Sequence, residues 1–145
     1  QIVVIARTES PDDVGFSVRL GHRRSILNSA SGLVLFAFAA KAQKNRILEN
    51  LKAGGSSQAE LDALEESAER ICEAGYVCMP SRMVDGVTDI GAPIFDSTNE
   101  SAVASLTVPF VVTRRTQISV EDAPALIASS ADRISEALGH VPQTR

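Results

Sequence analysis

The chain has 145 residues, a formal net charge of −4, 44% hydrophobic and 22% charged residues. These are the proportions of one globular domain that can bury a core without staples. Aromatic residues make up 4% and Trp is absent, which speaks against a base-stacking platform for single-stranded nucleic acid. Basic residues come in pairs, Arg23-Arg24 and Arg114-Arg115, so the acidic chain lacks the basic stripe of a DNA-reading surface.

Two cysteines, Cys72 and Cys78, match no CxxC motif, and two histidines, His22 and His140, complete no zinc set. Both thiols are expected reduced and buried, and neither a metal nor a cofactor is implied. The longest apolar run, Leu33 to Ala40, falls far short of the ~20 residues that span a bilayer, so no membrane association is expected and the cytoplasm is the expected location. The chain opens in a predicted strand with no Met and no secretory leader pattern; functional parts are expected upstream.

In chain order, Ile2–Ala6 is a β-branched run that reads as a strand. Pro11, Asp12 and Asp13 break it. Val14–Leu20 reads as a second strand with Val14, Phe16 and Val18 on one face, and Ser25–Asn28 as a short extended piece. Ser31 is the predicted N-cap of a helix whose Leu33–Ala40 body is apolar on every side and therefore buried.

A second helix is predicted over Lys44–Lys52, closed by Gly54-Gly55. Gln58–Ala74 carries the strongest helical signal. Ser57 and Glu60 form a capping box, Leu61, Leu64, Ala68 and Ile71 make one stripe, and Gly75 stops the helix.

Tyr76–Pro80, Gly86–Phe95 and Ala102–Phe110 read as strands, the last two joined by a polar hairpin loop. A last helix, Glu121–Leu138, has Leu126, Ile127, Ile134 and Leu138 as its expected apolar face. Residues 1–140 thus make one α+β domain with a largely antiparallel sheet, and 141–145 a frayed tail.

No catalytic constellation emerges. Ser29 and Ser31 lack a G-x-S-x-G frame, no P-loop or G-x-G-x-x-G is present, and His22 reads as an exposed loop residue beside two arginines. The carboxylates between Glu60 and Glu73 fall at helix-surface spacings.

The hairpin is more informative, because side chains alternate across a strand. Ile90, Ala92, Ile94, Ala104, Leu106 and Val108 make one apolar face, expected against the buried helices. Val87, Asp89, Gly91, Val103, Ser105 and Thr107 make a small, polar face with room over Gly91. A hairpin loop of odd length lets Asp89 stand directly across from Thr107. A carboxylate beside a hydroxyl over a glycine floor suits a polar ligand; an ordinary solvent-facing sheet surface is the other reading, and the residues alone favour that second one.

Taken together, several segments resemble the effector domain of IclR-type bacterial transcription regulators. Gly21–Gly32, ending in A-S-G, followed by Leu33–Phe38, resembles that family's glycine turn and helix start. Gly75-Tyr76, the Gly86–Asp96 strand G-V-T-D-I-G-A-P-I-F-D, the A-S-L-T-V-P run Ala104–Pro109 and I-S-E-A-L-G at Ile134–Gly139 follow in the family's order.

The resemblance implies a GAF-like fold, a curved antiparallel sheet with helices on both faces, and a small-molecule effector pocket on one sheet face. Its lining positions fall on Phe16, Ala30, Ser31, Val87, Asp89 and Thr107. It also implies a homodimer or tetramer that binds operator DNA only through an upstream winged helix-turn-helix domain, and no enzymatic activity. A GAF-like sensor attached to another signalling protein or enzyme, and a purely structural dimerisation module, are the alternatives. Leu33 stands where the family has a basic residue after A-S-G. Asp89 and Pro109 replace a Cys and a Ser found in members that bind small oxoacids, so that ligand class does not transfer.

Overall fold

The computed structural model describes residues 1–8, 18–98, 101–114 and 116–141. Phe16 and most of the predicted second strand, with Val14, lie outside the described residues.

Two short strands, β1 (Ile2–Val3) and β2 (Arg23–Arg24), pair antiparallel. The predicted first strand is thus shorter than its β-branched run, and the Arg23-Arg24 pair, which gave no strand signal, serves as its partner. The pairing is extended by Val4 N–H to His22 O at 3.0 Å and Gly21 N–H to Val4 O at 2.8 Å.

Three helices follow: α1 (Ala30–Ala37), α2 (Lys41–Ala53) and α3 (Gln58–Ala74). The first begins three residues earlier than Leu33, and its N-cap is Ser29, not Ser31. The Ser29 hydroxyl accepts from Gly32 N–H at 3.2 Å and donates to Ser25 O at 2.7 Å. Position 32 must be glycine-sized for this cap to close, since a Cβ there would stand 2.5 Å from Ile26 O. In α3, Ser57 and Glu60 cap each other reciprocally as their spacing predicts, and Gly75 ends the helix at φ 81°.

The second sheet has the order β3-β4-β5, all antiparallel, from β3 (Val77–Pro80), β4 (Thr88–Ile94) and β5 (Ala104–Phe110). The last helix, α4 (Ala123–Ala137), completes the α+β domain.

Two apolar clusters flank the β3-β4-β5 sheet, so helices cover both of its faces. On one side α1 packs with Leu64, Ala68 and Ile71 of α3 and with Val77, and α2 adds Ile47, Leu48 and Leu51 at the margin. On the other, Ile90, Ala92 and Ile94 meet Ala123, Ile127 and Ala131 of α4. The apolar hairpin face therefore packs against α4 alone.

The face of α4 also differs from expectation. Ile127 packs against the sheet as expected, but Ala123, Ala131 and Ser135 fill the rest of the contact, and Leu126, Ile134 and Leu138 remain exposed. Buried Ser135 fixes the approach: its hydroxyl accepts from Phe95 N–H at 3.0 Å and donates to Ala131 O at 2.9 Å. Cys72 is half-buried with its thiol 3.2 Å from Ala37 O, but Cys78 is exposed, because it shares the sheet face of Ile90 at the outer strand; both are free thiols.

Candidate functional site

The ladder sets the geometry of the polar face. Asp89 stands opposite Pro109 on one side and Met79 on the other, and Gly91 stands opposite Thr107 and Val77. Asp89 and Thr107 share a face, as their parity requires. They are diagonal neighbours, about 7–8 Å apart by strand geometry, and not directly paired. The register is displaced by two residues from the direct pairing, which keeps every side chain on its expected side.

The room expected over Gly91 is filled. Val34 of α1 packs above it, and a Cβ at Gly91 would meet Thr107, Val77 and Val34 within 4 Å. Thr107 turns its hydroxyl to Ser105 at 2.9 Å. Asp89 lies two residues back along β4 from Gly91, away from the hairpin loop.

The start of α1 lies at that same end. Its C-terminus is tied to the loop end of the hairpin, where Ala102 N–H donates to Phe38 O at 3.0 Å and the Phe38 and Phe95 rings meet edge-on at 5.7 Å. Val34 covers Gly91, and Ala30 is one turn back along the helix. One turn of helix rises about 6 Å and two strand residues about 7 Å, so the helix start reaches the level of Asp89.

A second tie agrees with this placement. Arg82, in the turn between β3 and β4, donates from Nη1 to Asn28 Oδ1 at 2.9 Å and to Leu27 O at 3.2 Å. Val87 closes that turn by accepting from Ser81 N–H at 2.8 Å.

Ala30 and Val87 are buried, and Ser31, Asp89 and Thr107 are half-buried. By helix rise and strand register Ala30 and Ser31 fall toward the end of the sheet that carries Val87 and Asp89, with Thr107 one rung inward; Phe16 is outside the described residues. Sequence reasoning missed Met79, which becomes visible only once the β3–β4 register is known, and Arg82, for which the sequence carries no signal.

Asp89 is the unusual member. It is half-buried near the start of β4, and no described residue offers its carboxylate a hydrogen bond or an ion pair. Among the described residues no fully buried side-chain oxygen or nitrogen lacks a partner, so the carboxylate oxygens of Asp89 reach solvent. Among the described residues no group of three His, Cys, Asp or Glu could hold a metal ion, and no helix is long and apolar enough to cross a membrane.

The family profile of the bacterial transcriptional regulator IclR C-terminal domain matches residues 1–136. The chain belongs to the IclR family, as its C-terminal domain. HTH-type transcriptional regulator KdgR of Escherichia coli K12 is 25% identical over 142 residues, covering 96% of this chain and 54% of the relative. A probable HTH-type transcriptional regulator, ArcR, of Halobacterium salinarum is 28% identical over 115 residues, covering 77% and 43%. The chain spans about half the length of these curated relatives.

Among solved structures, the IclR of Thermotoga maritima superimposes with a TM-score of 0.75 at 24% identity, over 95% of this chain and 57% of that one. The C-terminal domain of E. coli KdgR gives 0.63 at 24%, over 83% and 75%. These likenesses establish the shared fold. The IclR-type assignment agrees with the order of the motifs from Gly21 to Gly139, and the relatives are transcriptional regulators rather than enzymes.

Proposed function

We propose that this IclR-type domain senses a small-molecule effector and self-associates, and that ligand binding shifts the operator affinity of a helix-turn-helix domain supplied upstream. The observation that carries the reading is Asp89: a half-buried residue whose carboxylate bonds to no described residue, toward the end of the sheet at which α1 starts, in a domain whose relatives regulate transcription. A solvent-reaching carboxylate with no described partner can accept a hydrogen bond from a bound ligand.

The ligand would be a metabolite bearing a hydroxyl or amine for Asp89, held between Ala30 and Ser31 of α1, Val87 and Thr107, with Phe16 as a further candidate. Met79 would add apolar contact, and its place opposite Asp89 supports including it. No cofactor is required. The regulator would act in the cytoplasm as a homodimer or tetramer, touching DNA only through the upstream domain. A ligand with different affinity for two arrangements of the oligomer would shift their populations.

A thermal-shift screen of hydroxylated and amino-bearing catabolic intermediates tests this. A true effector at about 100 times its Kd should stabilise the domain by about 2.7 kcal/mol. Asp89→Ala should erase that shift and leave the unliganded melting temperature in place. A ligand whose shift survives Asp89→Ala would place the site elsewhere.

A further inference from the structure

Phe95, the first residue past β4, touches both of the helices that the sheet separates. Its ring meets Phe38 at the end of α1 edge-on, with centroids 5.7 Å apart, and stacks on His140 beyond α4 at 5.1 Å and 23°. Its amide donates to the Ser135 hydroxyl of α4 at 3.0 Å. Aromatic rings hold preferred edge-on or stacked arrangements, so a shift of the Phe38 ring is felt at Phe95 and, through it, at His140.

His140 is also part of the cap of α4. Gly139 N–H donates to Glu136 O at 3.0 Å and His140 N–H to Ser135 O at 2.9 Å, with Gly139 at φ 86°. These are the two bonds of a Schellman motif. The turn lies against the hairpin loop, where a Cβ on Gly139 would stand 3.3 Å from Ser97 Cβ. Ser135 thus holds both members of the stack, Phe95 through its hydroxyl and His140 through its carbonyl. The three contacts close a ring, and a tilt of Phe95 strains the cap.

On the other face, α1 reaches Phe38 as a short rod. Phe38 N–H donates to Val34 O at 3.1 Å, Ala102 N–H donates to Phe38 O at 3.0 Å, and Val34 packs over Gly91. A displacement of α1 from the sheet therefore moves the Phe38 ring against Phe95.

We infer that Phe95 is a mechanical junction through which the position of α1 sets whether the last turn of α4 is capped or frayed. Coupling across a domain needs an element with two discrete arrangements, and a helix end that caps or frays is such an element. The segment so controlled carries Leu138 and Val141, both exposed. The inference deepens the proposed function, since it gives an effector at the start of α1 a route to the opposite face of the sheet, and in that role it rests on that reading. The junction itself needs no ligand.

Amide hydrogen exchange, read residue by residue by NMR with no ligand added, tests it. Gly91→Val pushes α1 off the strand and should speed exchange of the His140 amide at least about threefold. The Gly54 amide, which ends α2 by donating to Asn50 O, should keep its rate. In a Phe95→Leu background, Gly91→Val should no longer change the His140 rate. His140→Ala removes the stack and leaves Phe95 in place; in that background the Gly139 amide should likewise stop responding to Gly91→Val.

A His140 amide that exchanges equally with and without Gly91→Val would overturn the inference. So would an equal acceleration at Gly54, which would mean general loosening, or a response that survives both Phe95→Leu and His140→Ala. The expected responses in a chain that no effector stabilises would support the junction and count against the proposed function alone.

Discussion

Val34 of α1 closes the sheet over Gly91 of β4. A Cβ at Gly91 would stand 3.5 Å from Val34 Cγ2, with Val77 Cγ1 at 3.2 Å and Thr107 Oγ1 at 3.1 Å. Glycine is therefore what lets a helix lie close on the strand at this rung. Gly91→Val should push α1 outward and cost about 1–3 kcal/mol, as overpacking does. Gly91→Ala should cost less. Urea denaturation measures both; an unchanged midpoint for the Val variant would show that α1 moves freely over β4.

Gly32 poses a harder constraint. Its missing Cβ would meet Ile26 O at 2.5 Å and Ile26 Cα at 2.6 Å, both backbone atoms that no rotamer change can move. Alanine is intrinsically the better helix residue by about 1 kcal/mol. Gly32→Ala should nonetheless destabilise, because the turn Ile26–Ser29 must shift and the Ser29 cap opens. Faster amide exchange at Gly32 and Leu33, together with a lower melting temperature, is the expected result.

The Ser135 hydroxyl is the only tie from α4 to the Phe95 amide among the described residues. Ser135→Ala keeps the volume nearly constant and orphans that part-buried N–H, so a loss of about 1 kcal/mol is expected. Phe95 should then exchange its amide proton faster than its neighbours in β4. Equal protection before and after the substitution would mean that another acceptor takes over.

Two exposed carboxylates link stability to pH. The Thr98 hydroxyl, at 2.6 Å, and then its amide, at 2.9 Å, hold Asp96 below its ordinary value. The Ser57 amide, at 2.8 Å, and then its hydroxyl do the same for Glu60. A pKa depressed by folding contributes stability above the unfolded value, and that contribution is lost as pH falls through the folded one. Stability should therefore decline below about pH 4. Asp96→Asn and Glu60→Gln should each flatten the decline, measured by melts between neutral and acidic pH. An unaltered acid limb in both variants would assign the decline to other groups.

What could be read from the chain follows the range of the forces involved. The limits of α3 were legible, because the Ser57–Glu60 box and Gly75 act within a turn of the helix they bound. The start of α1 was misread by two residues. Ser29 and Ser31 are equally good caps in isolation, and the choice rests on the close approach of Gly32 to Ile26. The large apolar residues of α4 were assigned to the core, but the close approach of helix to sheet selects Ala123, Ala131 and Ser135 for contact and turns Leu126, Ile134 and Leu138 outward. Strand parity placed Asp89 and Thr107 on one face. The two-residue offset between them depends on how the hairpin loop is spent, which no local pattern encodes.

The last prediction concerns the stability of Asp89 itself. A residue retained for ligand binding stands where folding alone would place something else. Asp89 lies in the central strand, half-buried between Met79 and Pro109, with no described residue bonded to its carboxylate. Asp89→Leu sets an apolar side chain beside Met79, its cross-strand neighbour. The variant should be as stable as the natural chain or more stable, by up to about 1 kcal/mol. The adjacent Ile90 is fully buried under α4, so Ile90→Ala should cost about 2–5 kcal/mol. Guanidinium denaturation of both variants measures the contrast between neighbouring residues on opposite faces of one strand. A loss above about 1 kcal/mol for Asp89→Leu would mean that the carboxylate supports the fold, and Asp89 would then cease to be evidence for a ligand.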